Sequence, residues 1–291
     1  MHTNKMYPLY FSFGALVVYF VFSFFPSLLG IFYAFTDWNS FSPDVAFIGL
    51  DNFRNVLKSN TQYLLYIRNT FQFTLFTTIV KTILGFSLAL LFTRKSALSN
   101  FYRMVAFSPQ VLSFLIVGLV FRSLLHPSTG FLNNSLQAIG LGFMKQNWLT
   151  DLHFAFLSVM TVDVWKGVGY VMVVFIAGLQ AVPQSYYEAA KIDGASSPQR
   201  VILITIPMLI PSIMVVSVLN ITYGFRVFDI IYVLTNGGPG YATGVINTAV
   251  FKEFSKGNYA MGTTLSTILL VFITLISYFI IKSMKSKTVE A

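Results

Sequence analysis

Polar side chains interrupt two of the most apolar stretches of this chain, and ionisable residues inside such stretches are costly and usually functional. Each set follows i, i+3, i+4, i+7 spacing, which places its members on one face of a helix. Tyrosine rings can stack on the C–H faces of a sugar, carboxylate, amide and ammonium groups can bond hydroxyls, and glycine leaves room. The candidate substrate-binding residues are Asp163, Lys166, Gly167 and Tyr170 in one stretch and Asn220, Tyr223, Gly224 and Val227 in the other.

A second interpretation of this site stays open. Asp163 and Lys166 lie one helical turn apart, so they could neutralise each other as a purely structural pair. Lys81 is a further lysine within an apolar stretch, and the sequence assigns it no role.

The sequence predicts neither a catalytic nor a metal site. The chain has no cysteine, and its three histidines, His2, His126 and His153, are too far apart for metal-ligand spacing. The few acids are scattered over predicted loops. No G-x-x-x-x-G-K-[ST] segment is present, so we expect no ATP hydrolysis by this chain and no cofactor bound to it.

Long apolar helices must carry the polar residues. The chain of 291 residues is 55% hydrophobic and only 10% charged, against about a quarter charged in soluble domains. Because a helix needs about 20 mostly apolar residues to cross a bilayer, we predict an all-α, multi-pass membrane protein forming a single domain over residues 1–291. Its six spans are predicted at approximately 7–35, 70–93, 104–125, 154–178, 204–228 and 260–281.

The distribution of lysine and arginine predicts the orientation. The predicted first span lacks a small-residue cleavage site, which favours a retained span over a signal peptide. Arg94-Lys95 and the C-terminal Lys282, Lys285 and Lys287 lie close to helix ends, where positive charge favours the cytoplasm. We therefore expect cytoplasmic N and C termini.

A coupling segment, defined here as residues 183–203, separates the fourth and fifth predicted spans. Ser185 and Glu188 have the spacing of a capping box, which predicts a short helix after Pro183. Gly194 can adopt the left-handed conformation that ends such a helix. Ser197 then predicts the cap of a second helix, with Pro198 at its first position. These local signals fit a partner-docking knob, but the spacing alone favours an ordinary interhelical loop.

The residues of this segment resemble the EAA motif of binding-protein-dependent ABC importer permeases. The family form is E-A-A-x-x-D-G-A followed by a fixed spacer and I-x-[LI]-P. Here Glu188-Ala189-Ala190, Asp193-Gly194-Ala195 and Ile204-Thr205-Ile206-Pro207 match without a gap. The sequence departs from the family at Pro198, where an aromatic residue is frequent, and at Val201, where phenylalanine is frequent.

The resemblance extends over nearly the whole chain. Residues 47–53, FIGLDNF, are similar to the first outside loop of these permeases, and residues 177–183, AGLQAVP, to the approach to the motif. Residues 228–239, FDIIYVLTNGGP, resemble the outside loop of carbohydrate permeases. The similarity is greatest to the maltose-type F or glycerol-phosphate-type A subunit.

The resemblance implies a type I ABC importer permease fold in the bacterial cell membrane. It implies a second homologous permease, two cytoplasmic ATPase subunits that bind ATP and Mg, and an extracytoplasmic binding protein that delivers a sugar or oligosaccharide for alternating access. Nucleic acid is not among the implied partners. The residues implied to couple to the ATPase are Tyr187, Glu188, Ala189, Ala190, Asp193, Gly194 and Ala195.

Two other functions remain open at this point. The cargo could be glycerol phosphate or another non-sugar solute, and the net charge of +9 does not discriminate. Alternatively, the protein could be a secondary transporter in which Asp163 and Lys166 couple transport to an ion or proton gradient. The motifs favour this function less. In some members of the family the other permease holds the substrate, and the sequence does not identify which sugar is carried.

Overall fold

The computed structural model describes residues 10–58, 62–93 and 98–285. In these ranges the chain is helical and contains no β-strand, apart from one antiparallel bridge between Thr36 and Phe47. The helices are α1 (Tyr10–Tyr19), α2 (Phe25–Tyr33), α3 (Asp51–Leu57), α4 (Gln62–Phe92), α5 (Ser99–Val111), α6 (Phe114–Leu124), α7 (Phe131–Ala138), α8 (Phe154–Ala181), α9 (Gln184–Ile192), α10 (Ser197–Arg200), α11 (Ile206–Met208), α12 (Ile210–Phe225), α13 (Asp229–Thr235), α14 (Ile246–Ser255) and α15 (Tyr259–Lys285).

Four helical stretches are long and apolar enough to cross a membrane, and six result if two bent pairs each count as one span. The four are Ser12–Tyr33, Gln62–Phe92, Phe154–Ala181 and Tyr259–Lys282. The second begins at Gln62 rather than at the expected residue 70. Residues 7–9 of the predicted first span lie outside the described residues, as do Lys5, Arg94, Lys95 and Lys287 of the orientation argument.

The predicted third span, 104–125, is broken rather than continuous. Helices α5 and α6 meet at 98°, because Leu112 and Ser113 both adopt extended backbone. Ser113 then caps α6, its hydroxyl oxygen accepting a hydrogen bond from the Ile116 N–H at 3.3 Å. Pro109 lies within the last turn of α5, where its missing N–H already weakens the helical hydrogen-bond ladder.

The predicted fifth span, 204–228, is bent by 68° between Met208 and Ile210. Pro207 and Pro211 bracket this bend. Because Pro211 has no N–H, the carbonyl of Pro207 loses its helical donor, and the helix restarts at Ile210. Helix α12 ends at Phe225, before the predicted residue 228.

The described chain divides into two compact bodies. The first contains residues 10–58 and 249–270. Within it, the buried Asn52 amide donates to the carbonyls of Ala34 (3.0 Å) and Thr36 (2.7 Å). The N–H of Ala260 donates to the Trp38 carbonyl at 2.8 Å, which fastens α15 to the segment after α2.

The second body contains residues 62–248 and 271–285. Its centre is the packing of α4, α8 and α12 around two apolar clusters. On α4, Lys81 lies between Phe73 of the first cluster and Ala89 of the second. On α8, the residues between Val162 of the first cluster and Val171 of the second likewise lie between the two clusters. The fold therefore leaves a polar layer between two apolar clusters.

Candidate functional site

A cavity of about 250 Å³, the central cavity, lies in this polar layer. It includes six of the eight predicted substrate-binding residues, contributed by α8 and α12. The remaining lining comes from α4, from the break between α5 and α6, and from α12. The lining residues are Lys81, Gln110, Phe114, Asp163, Lys166, Gly167, Tyr170, Leu219, Asn220 and Tyr223.

Asp163 is held by two partners from two other helices. The Lys81 ammonium lies 2.6 Å from its Oδ2, and the Tyr223 hydroxyl donates to its Oδ1 at 2.6 Å. Lys81 and Asp163 are buried, at 3% and 1% exposed. The ammonium also lies 4.7 Å from the centre of the Tyr223 ring. Asp163 therefore joins α4, α8 and α12 through a hydrogen bond at Oδ1 and an ion pair at Oδ2.

Lys166 does not pair with Asp163, contrary to the structural pair considered from the sequence. Its ammonium donates to the backbone carbonyl of Gln110 at 3.1 Å and lies 4.2 Å from the centre of the Phe114 ring. The carbonyl is free to accept because the chain leaves helical geometry at Leu112, so no donor follows one turn later. Lys166 thus stabilises the break in the third span.

Asn220 has unused hydrogen-bonding capacity in the central cavity. The residue is 8% exposed, and its Nδ2 has no hydrogen-bond partner within the described residues. A buried amide without a partner costs about 1–3 kcal/mol, and a ligand oxygen in the cavity would satisfy it. Tyr170, two helical turns after Asp163, lines the same space.

Of the two predicted glycines and Val227, Gly167 lies in the central cavity, whereas Gly224 and Val227 lie outside it. Gly167 lines the central cavity, and a Cβ at this position would lie 2.9 Å from the Lys81 ammonium, so glycine leaves room for that lysine. Gly224 faces Thr74 of α4 instead of the cavity. Val227 lies beyond the end of α12 and is buried in the first apolar cluster. Helical spacing failed for Val227 because the helix ends before it.

Four lining residues were not among the predictions: Lys81, Gln110, Phe114 and Leu219. A lysine within an apolar span needs a partner, so the sequence indicated that Lys81 has one. It did not show which residue that partner is. Gln110 follows the proline that interrupts the third span. Phe114 and Leu219 are ordinary apolar residues, and no sequence pattern distinguishes them.

The coupling segment forms a short helix, α9, that ends at a glycine as predicted. Gly194 has φ +80°. Its N–H donates to the Lys191 carbonyl at 3.2 Å, and the Ala195 N–H donates to the Ala190 carbonyl at 2.9 Å. This pair of bonds is the Schellman motif, which requires a left-handed residue.

Neither predicted helix cap forms at its predicted residue. Helix α9 begins at Gln184, so Ser185 lies inside the first turn, and Pro183 at the boundary makes no side-chain cap. Helix α10 is preceded by Ser196 rather than capped by Ser197. There the Gln199 Oε1 accepts from the Ser196 N–H at 2.7 Å and from its hydroxyl at 2.8 Å.

Most of the coupling segment is exposed. Helix α9 has no buried residue, Glu188 lies on its surface, and Ile192 is 86% exposed. One contact fixes the helix to the rest of the body: the Tyr187 hydroxyl lies 3.1 Å from the Thr205 hydroxyl. An exposed, anchored helix with an apolar tip has the properties of a docking surface.

Outside the long helices, Asp151 precedes α8 and caps it. Its Oδ1 accepts from the backbone N–H groups of His153 (2.7 Å) and Phe154 (3.1 Å). These hydrogen bonds favour the carboxylate and hold the pKa of Asp151 below its usual value.

Comparison with known proteins identifies the family. Residues 81–286 match the family described as binding-protein-dependent transport system inner membrane component. The chain is 34% identical to the probable ABC transporter permease protein YurN of Bacillus subtilis over 98% of both chains. It is 35% identical to the trehalose/maltose transport system permease protein MalF of Thermococcus litoralis, over 83% of this chain and 80% of the relative.

A solved structure agrees with this similarity. A chain from the crystal structure of a bacterial alginate ABC transporter, in complex with an alginate pentasaccharide-bound periplasmic protein, superposes with a TM-score of 0.81 and 25% identity. The match covers 94% of this chain and 92% of that chain. With its apolar helices, the chain is a multi-pass membrane protein with the type I importer permease fold. It belongs to the binding-protein-dependent transport system inner membrane components and is a permease subunit of an ABC importer.

Proposed function

We propose that this permease carries a sugar or oligosaccharide, and that the cargo binds in the central cavity. The observation that carries this proposal is the buried Asn220 amide, which has no partner among the described residues and lines a cavity shared with Tyr170 and Lys166. A hydroxyl-rich ligand supplies acceptors for such donors. The names of two relatives, a trehalose/maltose permease and a multiple sugar-binding system permease, support the same cargo class.

Within this proposal the eight predicted residues have unequal roles. Lys166, Tyr170 and Asn220 contact the cargo, and Gly167 provides space. Asp163 positions the cavity wall through its ion pair with Lys81 and the hydrogen bond that it accepts from Tyr223. Gly224 and Val227 support the helix from outside the cavity.

Energy for transport comes from partner subunits in this proposal. The chain lacks a phosphate-binding loop, so ATP and Mg bind to two cytoplasmic ATPases and this chain hydrolyses nothing. The ATPase contacts are the exposed face of α9 and its glycine turn, with Glu188 toward the partner and Ala189, Ala190, Asp193, Gly194 and Ala195 permitting close approach.

The remaining partners are a second homologous permease and an extracytoplasmic binding protein. A periplasmic binding protein is present with the alginate transporter that this chain resembles. Both termini and the coupling segment face the cytoplasm. Closure of the ATPases pulls α9, and because Tyr187 contacts Thr205 at the start of the bent fifth span, that movement is transmitted to α12 and the cavity.

A second cargo class has specific support. Two ammonium groups, Lys81 and Lys166, and one carboxylate, Asp163, line the central cavity. The excess positive charge suits a phosphorylated or otherwise acidic solute. One relative is the sn-glycerol-3-phosphate transport system permease protein UgpA of Agrobacterium fabrum, at 31% identity. Transport assays with both solute classes distinguish the two cargoes.

The test is Asn220→Ala in the assembled transporter, reconstituted with its binding protein in proteoliposomes. Labelled mono- to trisaccharides and glycerol 3-phosphate are offered in parallel. We expect uptake of the carried solute to fall about tenfold, the cost of one lost hydrogen bond. ATP hydrolysis without solute should stay unchanged. The matched control is Ser217→Ala, on the same helix but not lining the cavity. Normal uptake by the Asn220 variant would exclude the central cavity as the cargo site.

A further inference from the structure

A second and larger cavity, the arginine cavity, lies at one end of the second body. Its volume is about 1170 Å³. The lining comes from the C-terminal ends of α4 and α8, the beginning of α5, and the coupling segment. Residues that matter for its chemistry are Asn100, Arg103, Gln180, Gln184, Tyr187 and Arg200.

Arg103 is held in place by a helix end. Its Nε and Nη2 both donate to the carbonyl of Phe92, at 3.1 and 2.6 Å. Phe92 is the last residue of α4, so its carbonyl has no helical donor. This contact fixes the plane of the guanidinium and leaves its positive charge without a carboxylate, since the salt bridges of the described residues do not include Arg103.

The hydrogen-bond donors of the Arg200 guanidinium are only partly satisfied. Its Nη2 donates to the Ser197 hydroxyl at 2.9 Å. Its Nε is buried and has no hydrogen-bond partner within the described residues. A buried charged donor without an acceptor is costly, so the position calls for an oxygen-bearing ligand.

Among the described residues, the lining of the arginine cavity contains two guanidinium groups and no carboxylate. The other polar members are amides and hydroxyls, which can donate to an anion as well. Guanidinium groups bind phosphate through paired hydrogen bonds and are weakly hydrated, which suits a half-buried site. The chemistry therefore selects an anionic phosphate.

The location indicates where that phosphate comes from. The cavity lies where apolar helices α4 and α8 end, which is the level of lipid headgroups in a membrane-spanning chain. Large apolar side chains next to the two arginines are exposed: Phe101 at 54%, Ile202 at 61% and Leu203 at 71%. Such residues suit acyl chains, and basic pockets between helix ends bind anionic headgroups.

We propose that the arginine cavity binds the phosphate of an anionic phospholipid, with Arg103 and Arg200 as its ligands. Because Tyr187 lines the same cavity, the bound headgroup lies against the coupling segment. The site is separate from the central cavity and is independent of which solute is carried.

The experiment counts bound lipids on the assembled transporter by native mass spectrometry after release from nanodiscs. Phosphatidylglycerol discs are compared with phosphatidylcholine discs. In the double variant Arg103→Gln/Arg200→Gln we expect the apparent affinity for one phosphatidylglycerol molecule to fall about thirtyfold, because both arginine charges near the headgroup are lost. The control Arg226→Gln removes the same charge from an exposed residue at the opposite end of α12 and should keep that lipid.

Each outcome decides the proposal. The double variant Arg103→Lys/Arg200→Lys keeps both charges, so intermediate retention supports the site even if the glutamine variant fails to fold. Equal lipid retention in all variants overturns the proposal. Displacement of the lipid signal by millimolar inorganic phosphate would assign the cavity to a soluble anion instead. Loss of the ATPase subunits, with lipid binding unchanged, would assign the arginines to the protein partner.

Discussion

At the scale of single residues, the central cavity is held together by charges that the bilayer would otherwise penalise. Isolated ionised groups at membrane depth cost several kcal/mol. Lys81 and Asp163 offset that cost by their 2.6 Å contact. Tyr223 occupies the second carboxylate oxygen, so removal of one partner leaves a buried charge.

We expect Lys81→Met to destabilise the protein strongly. The substitution leaves the Asp163 carboxylate, 1% exposed, without its counter-ion, and breaking a buried ion pair costs about 3–5 kcal/mol. The double variant Lys81→Met/Asp163→Asn should recover most of that stability, because the amide oxygen still accepts from Tyr223. Thermal unfolding of the solubilised complex measures both effects.

The matched control for this pair is Lys145→Met, which removes the same charge from an exposed loop lysine. It should unfold like the unmodified protein. If Lys81→Met does so too, the ion pair contributes nothing to the fold. If the double variant is no better than the single one, Asp163 has a role other than partner of Lys81.

Helical periodicity predicted correctly that four of the candidate side chains would share one face and one cavity. Asp163, Lys166, Gly167 and Tyr170 share one face of an unbroken helix, so their spacing placed them together. The partner of Asp163 was not predictable, because Lys81 is 82 positions away in sequence and only tertiary packing brings it close. Local spacing favoured Lys166 as the partner, and the free carbonyl at Gln110 attracts that lysine instead.

At the scale of elements, the glycine turn after α9 fixes the shape of the coupling segment. Gly194 has φ +80°, and a Cβ there would meet nothing within 4 Å. Within this chain, the backbone conformation is therefore the only feature that disfavours a larger residue at position 194.

We expect Gly194→Ala to weaken the turn by about 1 kcal/mol, the cost of a left-handed alanine. Solute-stimulated ATP hydrolysis of the assembled transporter should fall with it. Asparagine tolerates the left-handed conformation, so Gly194→Asn is the informative comparison. Recovery of coupling with asparagine assigns the need for glycine to backbone geometry. Failure of both variants, with the complex still assembled, assigns it to close approach of the ATPase.

The sequence predicted the bounds of a helix well where the apolar pattern is uninterrupted. It did not predict where a helix breaks because backbone hydrogen bonds are missing. Helix α8 covers the fourth expected span, with ends within a few residues. Spans three and five break at Leu112–Ser113 and near Leu209. A proline lies near each break, but the angles of 98° and 68° depend on which neighbour satisfies the freed polar groups. Lys166 meets that need in span three, a contact that local sequence cannot reveal.

At the scale of the whole molecule, the arrangement of charges favours an external source of energy. A carrier driven by protons needs a carboxylate that alternates between states during transport. Asp163 has an ammonium on one oxygen and a hydroxyl on the other, and it joins three helices. The exposed coupling segment provides a surface through which a partner can act.

Transport by the assembled complex should therefore depend on ATP and not on a proton gradient. In proteoliposomes containing binding protein, omission of ATP should reduce uptake to the level of empty vesicles. A protonophore should leave uptake unchanged, because the Asp163 oxygens contact Lys81 and Tyr223 rather than a path for protons. The Lys81→Met/Asp163→Asn variant sharpens the comparison, since it lacks both charges yet should still transport with ATP. Uptake that persists without ATP and collapses with the protonophore would show that Asp163 takes part in proton coupling. That result would contradict the positioning role inferred from its contacts.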